Sequence, residues 1–154
     1  MAVVLSLIYL AIQIRLNRLQ LKTDALESVL KEHQHTGETL SRSDLAPIIS
    51  RGVRSFGTLD PGEKIQFNGF WVKYLYSFLN IKDQYDAGNI DYQRFEAFEK
   101  DLVGCLLSPG LSEWWGIVGK THFELSGYID ELIARFSGEV TPYTDFMPGW
   151  KDEG

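Results

Sequence analysis

Basic charge is scarce in this chain: 15 Lys and Arg stand against 21 Asp and Glu, a formal net charge of −6. Phosphate backbones are held by a basic face, so this balance argues against nucleic acid as a partner. Cysteine is scarcer still. Cys105 stands alone, so no internal disulfide forms and nothing speaks for an oxidising compartment. No segment of useful length alternates apolar and polar residues, so strands are not expected. A Gly-x-Ser-x-Gly elbow, a phosphate-binding loop and a dinucleotide fingerprint are all absent, which removes the usual signatures of hydrolases and nucleotide enzymes.

Charge is missing altogether from Met1–Ile14 (MAVVLSLIYLAIQI), and then Arg15, Arg18 and Lys22 arrive together. An apolar start with a basic collar is the pattern of a bilayer anchor whose cations sit at the headgroups. At 1.5 Å per residue the run covers roughly 20 Å, against about 30 Å of hydrocarbon. It is therefore a short anchor, completed by thinned lipid or by partner helices, or else a core helix. A cleaved signal peptide fits poorly: no cation precedes the run, and Arg15-Leu16-Asn17-Arg18 follows it. With the collar on its C-terminal side, the positive-inside tendency places residues 15–154 in the cytoplasm, beneath the inner membrane.

Leu5, Tyr9, Ile12, Leu16, Leu19, Thr23, Leu26 and Leu30 recur at alternating spacings of 4 and 3, a sustained a/d seam. The spacing predicts one long helix over residues 1–33, whose seam buries against its own domain, a copy of itself, or another protein. His33 to Ser43 is polar, contains Gly37, and reads as a loop. Ser43-Asp44 opens a short helix with Leu45, Ile48, Ile49 and Val53 on one face. Asp60-Pro61 starts the next, which carries Phe67, Trp71, Tyr74, Phe78, Ile81 and Tyr85 along one side. Asp91 caps a helix holding Phe95, Leu102 and Leu106, and Ser108-Pro109 begins a short one with Leu111, Trp114 and Trp115. Thr121-x-x-Glu124 has the form of a capping box for the last helix, with Ile129, Leu132 and Phe136 inward. The fold class is all-α: a long N-terminal membrane-anchoring helix, then a bundle of four to five helices over 34–137 and an irregular tail over 138–154.

Candidate chemistry is sparse. Glu32 and His35 have the Glu-x-x-His spacing of di-iron bundles, but no second pair exists and His122 falls in a turn. A solvated helix end explains them, and neither a metal nor a catalytic residue is assigned. Cys105, inside Leu102–Leu107, reads as a small buried hydrophobe. The aromatic side of 67–85 packs a core, or in an alternative reading lines a slot for a small apolar ligand or lipid. Adjacent Trp114 and Trp115 cannot share one helix face, so one should be buried and the other more exposed.

Two runs carry a resemblance. Ser6-Leu7-Ile8-Tyr9-Leu10-Ala11-Ile12-Gln13-Ile14-Arg15 followed by Asn17, and Ser108-Pro109-Gly110 followed by Trp114-Trp115, are similar to those of a widespread bacterial family of small proteins without an assigned activity. The resemblance implies an N-terminal membrane helix with a cytoplasmic helical domain, and brings no catalytic residue. Members often carry further apolar residues ahead of the stretch that starts here at Ala2, so this anchor is abbreviated.

The expectation is a non-enzymatic, membrane-anchored protein without cofactor that works by contact, as an accessory or scaffolding subunit of a larger membrane assembly or as a self-associating adaptor. Leu5, Tyr9, Ile12, Leu16 and Leu19 are its contact residues, Trp114 and Trp115 the second choice, and Arg15, Arg18 and Lys22 the headgroup collar. Its partners are then membrane lipid and other membrane subunits or itself.

Overall fold

Where helices start, local chemistry decides. Asp60 accepts a hydrogen bond from the Glu63 amide at 2.9 Å, while the Glu63 side chain accepts from the Asp60 amide at 3.1 Å, with Pro61 opening the first turn. Two otherwise orphaned amides are satisfied reciprocally, as a capping box does. Asp91 likewise accepts from the Arg94 amide at 2.9 Å.

The structure, a computed structural model, describes residues 2–40, 44–121 and 124–146. These form seven α-helices: α1 Ala2–Leu40, α2 Ala46–Arg54, α3 Pro61–Asp86, α4 Tyr92–Leu106, α5 Pro109–Ile117, α6 Ser126–Phe136 and α7 Tyr143–Phe146. Single 3-10 turns lie at Phe56–Thr58 and Gly119–Thr121, and no strand occurs among the described residues. The chain is all-α, with six helices following α1 where four to five were expected.

Helix α3 is the axis of the core. Its Phe67, Phe70, Trp71, Leu75, Phe78 and Ile81 are buried, and it packs against α1, α2 and α4. Helix α4 continues the core into α5 and α6 through Leu102, Val103 and Leu106. A buried carboxylate ties α4 to α6: Glu99 accepts from the Tyr128 hydroxyl and pairs with Arg135. Burial, and then the Glu99 carboxylate, pushes the Tyr128 hydroxyl far above the usual phenol range.

Four sequence expectations need correction. The first helix does not stop at residue 33 but runs to Leu40. Thr36 is buried and its hydroxyl donates to the Glu32 carbonyl at 3.0 Å; Thr39 donates to the His35 carbonyl at 2.9 Å. Backbone hydrogen-bonding and docking on α3 carry the helix through Gly37, which local composition alone marked as a break. Helix α6 begins at Ser126 without a side-chain cap, and Thr121 instead closes the preceding 3-10 turn by donating to the Val118 carbonyl at 2.8 Å. The segment read as an irregular tail contains α7. Ser43, His122 and residues 147–154 lie outside the described residues.

The fourth correction is the membrane. Among the described residues no helix is long and apolar enough to cross a bilayer. The uncharged run ends at Ile14, about 10 Å short of a hydrocarbon core, and Arg15 and Arg18 interrupt the helix that continues it. This contradicts the expected placement in the inner membrane through a spanning N-terminal helix; Arg15, Arg18 and Lys22 lie exposed along α1.

Candidate functional site

Helix α1 has two halves with opposite surroundings. From Ala25 to Leu40 it docks on α3 and touches α4: Val29 and Thr36 are buried, Asn80 of α3 donates to the Glu32 carboxylate at 2.9 Å, and the His33 ring lies edge-on to Phe98 of α4 at 5.7 Å. Ahead of this, every large apolar side chain from Val3 to Leu21 is between 48% and 71% exposed. Leu5, Tyr9, Ile12, Leu16 and Leu19 are all in this set. At 1.5 Å per residue, residues 2–24 make an arm about 35 Å long. The structure thus brings the predicted contact residues together on an uncovered surface, with Arg15, Arg18 and Lys22 interleaved.

The seam itself shifts phase where the arm meets the bundle. Val29 is buried and Leu30 stays 45% exposed, so the stripe passes from Leu26 to Val29. At about 100° per residue Val29 stands about 100° around the helix from Leu30, so the face docked on α3 is not the one that the 3/4 spacing marks.

Neither tryptophan of the Trp114-Trp115 pair is a surface contact. Both are buried, one against each side of α5. Trp114 donates its indole N–H to Asn68 of α3 at 3.1 Å, and Trp115 donates to Asp130 of α6 at 2.9 Å. Adjacent positions do face different ways, as helix geometry requires, but α3 and α6 cover both directions. Asp130 is held below the usual carboxylate range by the Trp115 N–H and, beyond that, by Lys120, which approaches to 3.0 Å.

Beneath the docked half of α1 lies a cavity of about 470 Å³, walled by α1, α2, α3 and α4 with Tyr143 of α7 at its edge. Trp71, Phe70, Ile49, Val53 and Leu111 supply apolar lining; His33, Tyr74, Asp101 and Cys105 supply polar groups. The Tyr74 hydroxyl donates to Asp101 at 2.6 Å. Burial, then Cys105 and Asp101, pushes that hydroxyl well above the usual phenol value. Burial, then Asp101, drives the Cys105 thiol far upward too, so it stays protonated and unreactive, as a buried thiol in this setting should.

The aromatic side of α3 pointed toward this cavity; Asp101 was missed. It stands four residues before Cys105, one helical turn away on the same face of α4, and that spacing is the signal that would have found it. Glu32 and His35 do not converge on a shared centre: Glu32 is engaged by Asn80 and His35 pairs with Glu38 at 3.7 Å. Among the described residues no group of three or more His, Cys, Asp or Glu is placed to hold a metal. No family model, curated protein or solved structure matches the chain.

Proposed function

We propose that this is a non-enzymatic contact protein, an accessory or scaffolding subunit or a self-associating adaptor, that docks through the N-terminal half of α1. One observation carries the reading: an arm of about 35 Å whose large apolar side chains are at least 48% exposed, continuous with a half that is firmly docked. Contiguous apolar surface on this scale marks a binding surface. Burying Leu5, Tyr9, Ile12, Leu16 and Leu19 against another helix returns roughly 1.5–3 kcal/mol for each aliphatic side chain before the costs of association. The alternation of Leu, Ile and Tyr with Arg15, Arg18 and Lys22 suits a partner helix that is apolar at its centre and acidic at its rim.

A photo-crosslinking residue at position 9 in the producing cell tests the reading, with position 92 on the exposed side of α4 as the control. A discrete adduct with one polypeptide, a copy of this chain included, is expected from position 9 and none from position 92. No adduct from position 9, or equal labelling from both, rules the docking role out.

A further inference from the structure

We propose that the cavity walled by α1, α2, α3 and α4 is a binding site for a small aromatic amine. This is independent of the docking arm. Protein interiors pack to crystal-like density, and a space of about 470 Å³ at the junction of four helices is the size of a ligand pocket rather than a packing defect.

One polar feature, the Asp101 carboxylate, defines the occupant's charge. Asp101 accepts from Tyr74, which engages one of its oxygens, and among the described residues no Lys or Arg pairs with it. A carboxylate has about four acceptor sites, so capacity for a charged donor remains. An ammonium group meets that capacity with a charge-assisted hydrogen bond. The rings of Trp71 and Tyr74, packed edge-to-face with centroids 5.4 Å apart, also line the cavity.

The Trp71 ring, 95% buried, forms part of the cavity wall. Phe70, Ile49, Val53 and Leu111 then enclose an apolar ring body. The Cys105 thiol, kept protonated by burial, takes no part beyond lining the wall.

Calorimetric titration of the full chain with 5-methoxytryptamine, alongside the matched alcohol 5-methoxytryptophol, tests the assignment. The amine is expected to bind at least about tenfold more tightly than the alcohol. Asp101→Asn retains an acceptor for the Tyr74 hydroxyl and should lower amine affinity about tenfold with the thermal midpoint unchanged. The Trp71 indole N–H resonance, assigned through Trp71→Phe, should shift on saturation. Equal binding of amine and alcohol to the unaltered protein overturns the proposal whether or not the variants fold. So does the absence of binding at millimolar amine, or an affinity untouched by Asp101→Asn.

Discussion

Gly110 of α5 lies so close to Gly52 of α2 that a β-carbon placed on Gly110 would sit 1.9 Å from the Gly52 carbonyl oxygen. The same β-carbon would meet the amides of Ser55 and Phe56 at 2.8 and 2.9 Å, so the obstruction is backbone and cannot rotate away. Two helices touch here main chain to main chain. The Ser108-Pro109-Gly110 run thus has a structural explanation: Pro109 sets the helix start, Gly110 permits the crossing, and Trp114 and Trp115 fill the core on either side.

Gly110→Ala should therefore destabilise the protein by about 3 kcal/mol or more, the upper end of overpacking costs, because α5 must move off α2. Chemical denaturation of the variant checks this. Gly52→Ala should be destabilising as well, since its β-carbon meets the fully buried ring of Phe67 at 2.4 Å and the buried Leu59 at 2.9 Å.

Gly37 gives the opposite expectation. It sits inside α1, where a β-carbon would meet nothing within 4 Å. Gly37→Ala should stabilise the fold by about 0.5–1 kcal/mol, by lowering the entropy of the unfolded chain. A higher thermal midpoint at unchanged helicity is the expected reading.

Glu99 should be intolerant of truncation. It is 2% exposed and meets both Tyr128 and Arg135. Glu99→Ala strands two donors at the α4–α6 contact and should cost about 3 kcal/mol, at the low end for a broken buried pair because Arg135 is itself half exposed. Glu99→Gln, which keeps acceptor capacity, should cost less in the same denaturation series.

Asp130 sets a pH dependence. Its carboxyl is depressed by the Trp115 N–H and by Lys120, so the folded state binds its proton less readily than the unfolded chain. That contribution is present above the ordinary carboxylate value and is lost as pH falls through the lower, folded one. Asp130→Asn should remove this part of the acid destabilisation. Thermal midpoints of both proteins through the acid range should converge as pH drops.

Local signals in the sequence held at Asp60-Pro61 and Asp91 and failed at Thr121-x-x-Glu124, where no capping box forms for α6. Asp60-Pro61 and Asp91 mark helix starts because a carboxylate and two or three amides suffice to make them. The aromatic side of α3 was legible because one helical period orders it. Other readings failed because they depended on partners distant in the chain. Gly37 and its polar neighbours look like a loop until α3 is there to bury Thr36. One of Trp114 and Trp115 looks exposed until α3 and α6 cover both, through Asn68 and Asp130. The cavity required four helices at once, and only its α3 wall and Cys105 drew notice beforehand. The apolar start read as a bilayer anchor because the step from an uncharged run to a basic collar outweighed a length about 10 Å short of the hydrocarbon core.

Amide hydrogen exchange along α1 in the dilute, isolated chain addresses the docking arm most directly. Residues 25–40, held on α3, should exchange slowly, while residues 3–24 exchange near the rate of a frayed helix and become protected once the chain is concentrated or its crosslinked partner is added. Uniform protection from residue 3 to residue 40 in the dilute chain would mean that the arm is already covered by its own domain, and the docking role would be lost.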